Sequence, residues 1–139
     1  MAYTITILDA PQQWIAAAHG QKAMLALLGR AWDYVKQTGI KTDGQNVAIY
    51  RRGMIEAGAR VFEKFEGNGE INCVATPSGL AATTIHMGLY ELLGDAHKAI
   101  REWCAANGHV IEGTNWEVYG HHEDDPAKRR TDVFYLLRS

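Results

Sequence analysis

The chain has 139 residues, of which 47% are hydrophobic and 22% are charged, a composition typical of a folded globular domain. Fourteen basic and sixteen acidic residues give a formal net charge of −2, which argues against direct nucleic-acid binding because phosphate contacts need a basic face. No apolar run reaches the roughly 20 residues that cross a bilayer, and the N-terminus lacks the layout of a signal peptide. We therefore expect no membrane partner and a cytoplasmic location.

The hydrophobic pattern predicts two helices and seven strand-like segments. Apolar residues recur at helical spacing in the helices and alternate in several of the strands. In chain order the elements are a strand at 3–8, a strand at 14–18, a helix at 24–38, strands at 39–50 and 55–65, a strand at 80–86, a helix at 93–107, and strands at 108–119 and 131–137. After the first strand, the order strand, helix, strand, strand therefore occurs twice.

An internal repeat accompanies this order. Residues 39–50 align with residues 108–119 at an offset of 69, and the two glycines, the asparagine and the final tyrosine of each segment coincide. We predict a single domain over residues 1–139 built of two pseudo-repeats, at about 3–66 and 72–138.

Two such units favour an α+β fold, with one antiparallel sheet, both helices on one face and an open ligand cleft on the other. Strand alternation then assigns Trp116 to the core beneath the helices and Glu117 and Tyr119 to the cleft. The repeat maps Tyr50 onto Tyr119 and Ala48 onto Glu117. The cleft would therefore hold two tyrosines and a single carboxylate. Burial is expected to raise the pKa of Glu117.

The candidate site residues each have a structural alternative. Glu117 and Tyr119 suit a cationic ligand or proton transfer, but they also suit a solvated sheet face. His86 is a candidate general base, or a histidine that satisfies local hydrogen bonds. Tyr90 is a candidate for the cleft rim, or a packing residue.

The acidic run His121-His122-Glu123-Asp124-Asp125 does not predict a metal site, because adjacent histidines point in different directions. Asp125-Pro126 is instead the pattern of a helix N-cap. We predict no metal and no cofactor.

Two segments resemble the GyrI-like family of small-molecule-binding domains. Residues 80–90 end in His86-Met87-Gly88-Leu89-Tyr90, and residues 116–137 contain Trp116-Glu117-Val118-Tyr119-Gly120. The resemblance implies the duplicated fold, with Glu117 at the floor of a ligand pocket and Tyr90 at its rim. The family usually has proline where this chain has Leu89. Because the first strand begins near Tyr3, we expect the stand-alone type without a DNA-binding unit.

The resemblance implies three functions. The first is binding of bulky hydrophobic, aromatic or cationic compounds, as in the effector domains of multidrug-responsive regulators and as protection against drugs or toxins. The second is hydrolysis of cyclopropanoid electrophiles, with Glu117 as general base and Tyr90 or Tyr119 as hydrogen-bond donor. The third is contact with gyrase as a protein partner. The candidate ligand-binding residues are Glu117, Tyr119, Tyr50, Tyr90, Trp14, Phe134 and His86.

Overall fold

The computed structural model describes residues 3–21, 24–121 and 123–138. It has the predicted α+β fold, with an eight-stranded antiparallel sheet and two α-helices in the described residues. The elements are β1 (Thr6–Ala10), β2 (Trp14–Gly20), α1 (Met24–Thr38), β3 (Thr42–Arg51), β4 (Met54–Val61), β5 (Asn72–Ala75), β6 (Gly79–Met87), α2 (Leu93–Ala106), β7 (Ile111–Tyr119) and β8 (Arg130–Leu137).

Besides shifts of up to three residues at the ends of other strands, two strands differ from the sequence prediction. β5 was not predicted, since four residues are too few to show a clear alternation. β4 ends at Val61 rather than at residue 65, because its register partners Trp14 and Thr42 are the first residues of the neighbouring strands.

The strand order, β1-β6-β8-β7-β3-β4-β2-β5, places one strand-helix-strand-strand unit on each side of the β7–β3 pair. The outermost strands are exchanged between the two halves. β1 precedes β2 in the chain but pairs with β6, and β5 precedes β6 but pairs with β2. This mirrored order supports the proposed division of the chain into two pseudo-repeats.

The sheet is strongly curved. In a flat sheet, β1 and β2 would lie about 29 Å apart across six strand spacings, whereas the connection at 11–13 spans at most about 14 Å. The equivalent connection at 76–78 joins β5 to β6 under the same constraint. The two connections meet, since Gln13 N–H donates to Thr76 Oγ1 at 2.8 Å and Thr76 N–H donates to Gln13 O at 2.9 Å. The two ends of the sheet therefore approach each other.

Both helices pack on the outer face of this curved sheet. α1 buries Leu27, Ala31 and Val35 against β2, β3 and β4. α2 buries Ala96, Ile100 and Cys104 against β6 and β8. Each helix covers one half of the sheet, which leaves a gap between them over β3 and β7.

The inner face has a core of its own, and this corrects the predicted position of the cleft. Ile15, Val47, Ile49 and Trp116 are almost fully buried there without a helix over them. Curvature brings the side chains of this face together, so the face is filled rather than open. The helices pack on the face of the sheet that carries Glu117 and Tyr119, not on the face that carries Trp116. The cleft therefore lies between the helices, on their own side of the sheet.

Candidate functional site

A cavity of about 490 Å³ opens between the N-terminal ends of α1 and α2, above the central strands β3 and β7. Its wall is largely apolar and aromatic, and Glu117 is the one carboxylate among the described residues that line it. The lining residues are Met24, Leu25, Leu28, Asn46, Tyr50, Tyr90, Leu93, Glu117, Tyr119 and Gly120.

Glu117 lies at the cavity floor and is only 5% exposed. Three side chains hold its carboxylate. His97 on α2 contacts Oε2 through Nε2 at 2.6 Å, and the Tyr50 hydroxyl donates to Oε1 at 3.2 Å. The Tyr119 hydroxyl also donates to Oε1. A buried carboxylate with three donors is well satisfied.

His97 is part of a longer hydrogen-bonded chain. Its Nδ1 lies 2.6 Å from the Tyr135 hydroxyl, and Arg101 Nη1 donates to that hydroxyl at 3.2 Å. Because Arg101 can only donate, the Tyr135 oxygen accepts from it and the Tyr135 proton is free to reach Nδ1. Because an ionised carboxylate can only accept, Nε2 carries the proton of this contact and donates to Glu117.

The ionisation of Glu117 follows from these contacts. Burial raises the pKa of the Glu117 carboxyl. The hydrogen bonds from His97 and Tyr119, the electrostatic attraction of His97 and the hydrogen bond from Tyr50 outweigh burial and leave the pKa below its usual value. The expectation of a raised pKa was therefore wrong, because the sequence did not reveal the donors. Burial and the Glu117 charge raise the pKa of Tyr50 to about 12 and raise that of Tyr119 further. Glu117 is thus the ionised member of the group, and both phenols are protonated.

Tyr90 lines the mouth of the cavity and is 48% exposed. Its ring meets Tyr119 edge to face, with centroids 6.2 Å apart, and the Arg129 guanidinium lies 5.7 Å from the Tyr90 centroid. Leu89, at the position where the family usually has proline, has a φ of −61°. Proline would impose nearly the same angle, so leucine preserves the backbone path into the turn Tyr90–Leu92.

His86 does not line the cavity, so its position does not fit the predicted role of ligand-binding residue or general base. It is buried, with Nδ1 2.8 Å from the Tyr3 hydroxyl and Nε2 2.9 Å from the Leu89 carbonyl oxygen. The carbonyl can only accept, so Nε2 carries the proton and Nδ1 accepts from Tyr3. His86 therefore anchors the backbone that leads into Tyr90.

Trp14 and Phe134 also lie outside the cavity, contrary to prediction. Trp14 stands on β2, one strand from the sheet edge, beneath the Lys64 ammonium at 5.6 Å. Phe134 points to the inner face, because the helix-facing positions of β8 are Val133 and Tyr135. It stacks on Trp116 at a centroid distance of 4.9 Å. The structure thus brings Glu117, Tyr119, Tyr50 and Tyr90 together, and leaves the other three candidates elsewhere.

Sequence reasoning missed His97, Tyr135 and Arg101, together with the apolar walls contributed by both helices. His97 had a detectable signal, because it lies four residues after Leu93 and three before Ile100 and so borders the apolar stripe of α2. Tyr135 shares the helix-facing side of β8 with Val133. The register of β8 on β7, which places Tyr135 opposite Asn115, could not be read from either strand alone.

The acidic segment near the C-terminus is organised by backbone capping. Asp125 accepts a hydrogen bond from Ala127 N–H at 3.0 Å and Pro126 begins a helical turn, as predicted. His122 lies outside the described residues. Across residues 3–21, 24–121 and 123–138, no three His, Cys, Asp or Glu side chains are grouped closely enough to hold a metal ion.

Within the same described ranges, no helix has both the length and the apolar character needed to span a membrane.

No protein-family model and no curated protein matches the chain. Solved structures do. The EcmrR C-terminal domain matches with a TM-score of 0.87 at 18% identity, over 100% of this chain and 99% of that one. EcmrR in its DNA complex matches with a TM-score of 0.85 at 17% identity, over 99% of this chain and 58% of that one.

Two further structures match with lower TM-scores. A hydrolase from Listeria innocua matches with a TM-score of 0.61 at 10% identity, over 96% of this chain and 91% of that one. SAV2435 bound to tetraphenylphosphonium matches with a TM-score of 0.56 at 9% identity, over 100% of this chain and 95% of that one. These likenesses show that the chain has the GyrI-like fold.

Proposed function

We propose that the protein binds bulky hydrophobic compounds, aromatic or cationic, in the cavity above Glu117. The observation that carries this proposal is a buried carboxylate, bound by three hydrogen-bond donors, at the floor of a largely apolar cavity. A negative charge screened from water interacts with a cation more strongly than one at the surface. The bound cation would in turn offset the cost of keeping the carboxylate buried.

The walls suit a ligand with a large apolar body. Met24, Leu25, Leu28 and Leu93 offer aliphatic surface without competing hydrogen-bond donors. The cavity volume of about 490 Å³ lies within the roughly 300–1,000 Å³ that small-molecule sites occupy.

Three tyrosines supply the aromatic surface. Tyr50 and Tyr119 lie beside Glu117, and Tyr90 stands at the mouth. A ring face near a cation adds attraction of about 0.5 to 2 kcal/mol per contact. The tetraphenylphosphonium complex of SAV2435, which shares the fold, supports a lipophilic cation as the first ligand to test. Sequestration of a toxic compound of this kind is the protective role we propose.

Calorimetric titration with tetraphenylphosphonium tests the proposal, with triphenylphosphine oxide as a neutral ligand of similar shape. We expect saturable binding of both compounds and tighter binding of the cation. Leu28→Trp should abolish binding by filling the cavity. Val110→Trp places the same ring at an exposed position outside the cavity and should leave binding unchanged. Absence of saturable binding, or equal effects of the two tryptophan variants, would overturn the proposal.

Hydrolysis of an electrophile such as an activated cyclopropane is the second candidate. The common fold with the Listeria innocua hydrolase and the placement of Glu117 between two phenols favour it. Water would attack a ring carbon of a cyclopropane conjugated to a carbonyl group while Glu117 takes the water proton. The ring carbon–carbon bond would break and its electron pair would pass to the carbonyl oxygen, to which a tyrosine donates a hydrogen bond. The resulting enolate would then take the proton from Glu117 and restore the carboxylate.

The hydrogen bonds to Glu117 make this second candidate weaker than binding. Three donors lower the pKa of Glu117 and therefore weaken it as a base. Product formation beyond one equivalent of protein, lost in Glu117→Gln, would establish hydrolysis, and stoichiometric binding without product would exclude it. For the third candidate, contact with gyrase, the described residues offer no supporting observation, and we rank it last.

A further inference from the structure

The hydrogen-bonded chain behind Glu117 exists in only one half of the repeat. The residues that occupy the equivalent positions in the other half are all apolar or aromatic. At the offset of 69 residues, Ala48 corresponds to Glu117, Leu28 to His97 and Trp32 to Arg101. The counterpart of Tyr135 is found by strand pairing. Tyr135 pairs with Asn115, and the equivalent Asn46 pairs with Ala59.

Other positions around the cavity keep the same character in both halves. Tyr50 corresponds to Tyr119, and the wall residue Met24 corresponds to Leu93. The asymmetry is therefore concentrated in the carboxylate and in the side chains that contact it, directly or through one neighbour. The half of the repeat that contains the carboxylate also contains the histidine that binds it, and the tyrosine and arginine that lie behind this histidine.

We propose that His97 is the positioning residue of the cavity: it holds the Glu117 carboxylate in a fixed orientation, while Tyr135, itself bound by Arg101, holds the other side of the His97 ring. The inference rests on the proposed function for its biological meaning. Its structural content, control of one carboxylate by one imidazole, stands without a ligand.

The geometry gives His97 a contact with Glu117 that no other residue shares. Among the described contacts, His97 alone reaches Oε2, whereas Tyr50 and Tyr119 both donate to Oε1. The His97 side chain is 15% exposed and that of Glu117 is 6% exposed, so water has little access to replace the bond. Loss of His97 would leave Oε2 buried without its donor.

The groups that face Glu117 from each surrounding element define its charge environment. α2 presents His97, with Arg101 behind Tyr135 of β8, and β3 and β7 present the protonated phenols of Tyr50 and Tyr119. α1 lines the cavity with Met24, Leu25 and Leu28, which carry no charge, and the turn after β6 contributes Tyr90 at the mouth. His97 is thus the ionisable nitrogen base in direct contact with the carboxylate among these groups.

Replacement of His97 by its counterpart in the repeat isolates this role. In His97→Leu, burial of Glu117 persists while its hydrogen bond to His97 is lost, so the pKa of Glu117 should rise. His97→Gln keeps an N–H donor near the Nε2 position and should retain much of the wild-type behaviour. Lys98→Leu adds the same side chain to the exposed side of the same helix and serves as the matched control.

The decisive measurement is a carbon-13 NMR titration of the Glu117 carboxyl carbon in the ligand-free protein, assigned by its absence in Glu117→Gln. We expect the pKa to rise in His97→Leu, to stay near wild type in His97→Gln and to be unchanged in Lys98→Leu. An unchanged Glu117 pKa in a folded His97→Leu protein would overturn the inference. If His97→Leu does not fold, Tyr135→Phe removes the hydroxyl that contacts His97 Nδ1. A Glu117 pKa in Tyr135→Phe equal to that of wild type would then overturn the inference.

Binding measurements separate this inference from the proposed function. We expect His97→Leu to weaken tetraphenylphosphonium about tenfold, as for removal of one hydrogen bond to a buried charge, and to spare triphenylphosphine oxide. Failure of the wild-type protein to bind either compound would overturn the proposed function, while the titration would still decide the role of His97. Wild-type binding together with an unshifted titration would overturn the role of His97 alone.

Discussion

Ala48 and Glu117 lie directly opposite each other on β3 and β7. They are also equivalent positions of the internal repeat, so the pseudo-twofold axis passes between them. A carboxylate beside this axis faces a methyl group rather than its own copy. Because Ala48 is uncharged, Glu117 has no like charge opposite it on β3. A carboxylate introduced at residue 48 therefore tests how the site tolerates a second charge.

Ala48→Glu should destabilise the protein by about 3 kcal/mol or more. The new carboxylate would be buried beside Glu117, and Leu28 rather than a histidine would stand at the position equivalent to its donor. Urea unfolding would measure the loss. Ala48→Gln adds similar volume without charge, so the difference between the two variants reports the charge. Equal losses in both would show that volume alone is responsible.

The stability of the protein should depend on the ionisation of Glu117 in acid. Its pKa in the folded state lies below the ordinary value of 4.5, so ionised Glu117 stabilises the fold above that value. This stabilisation should be lost as the pH falls through the lower folded-state pKa. Unfolding free energies from about pH 7 to about pH 3 should therefore fall less steeply in Glu117→Gln than in wild type. Glu102→Gln, at an exposed position, should keep the wild-type slope.

Tyr50 should titrate late and depend on its neighbour. Burial and the negative charge of Glu117 raise its pKa to about 12. Glu117→Gln removes the charge, so the Tyr50 pKa should move back toward 10. Ultraviolet absorbance of tyrosinate, compared with Tyr50→Phe in each background, would follow this group. A Tyr50 pKa that is the same in wild type and in Glu117→Gln would contradict the contact between Tyr50 and Glu117.

Gly58 should be required for the close approach of β2 to β4. A Cβ at this position would lie 1.7 Å from the carbonyl oxygen of Ala16, and backbone cannot yield as a side chain can. We expect Gly58→Ala to cost about 2 to 3 kcal/mol. Gly29→Ala makes the same change inside α1, where the added Cβ has nothing within 4 Å, and should stabilise by about 0.5 to 1 kcal/mol. Thermal unfolding of the pair would show opposite shifts.

The sequence was sufficient for both helices and for all strands except β5. Helical spacing and the repeat are local signals, and the alternation of β7 correctly separated Glu117 and Tyr119 from Trp116. It could not say which of the two faces the helices cover, because that depends on the curvature set by the short connections at 11–13 and 76–78. The predicted cleft was therefore placed on the wrong face.

The same limit explains the misplaced and missing site residues. Phe134 lies on the inner face with Trp116, so it is on the opposite face from Glu117. His97 contacts Glu117 although the two residues are 20 positions apart in the sequence. Only the packing of α2 on the sheet brings that imidazole and carboxylate together. Its register relative to β7 is a tertiary property that no single segment encodes.

The central claim is that the charge of Glu117 selects cationic ligands. The most direct measurement compares the affinities for tetraphenylphosphonium and triphenylphosphine oxide in wild type and in Glu117→Gln. We predict a loss of about 10- to 100-fold for the cation, as for loss of a buried charge interaction, and little change for the neutral compound. Glu102→Gln should change neither affinity. Equal losses for both ligands in Glu117→Gln would contradict the claim and reduce Glu117 to a structural residue of the cavity floor.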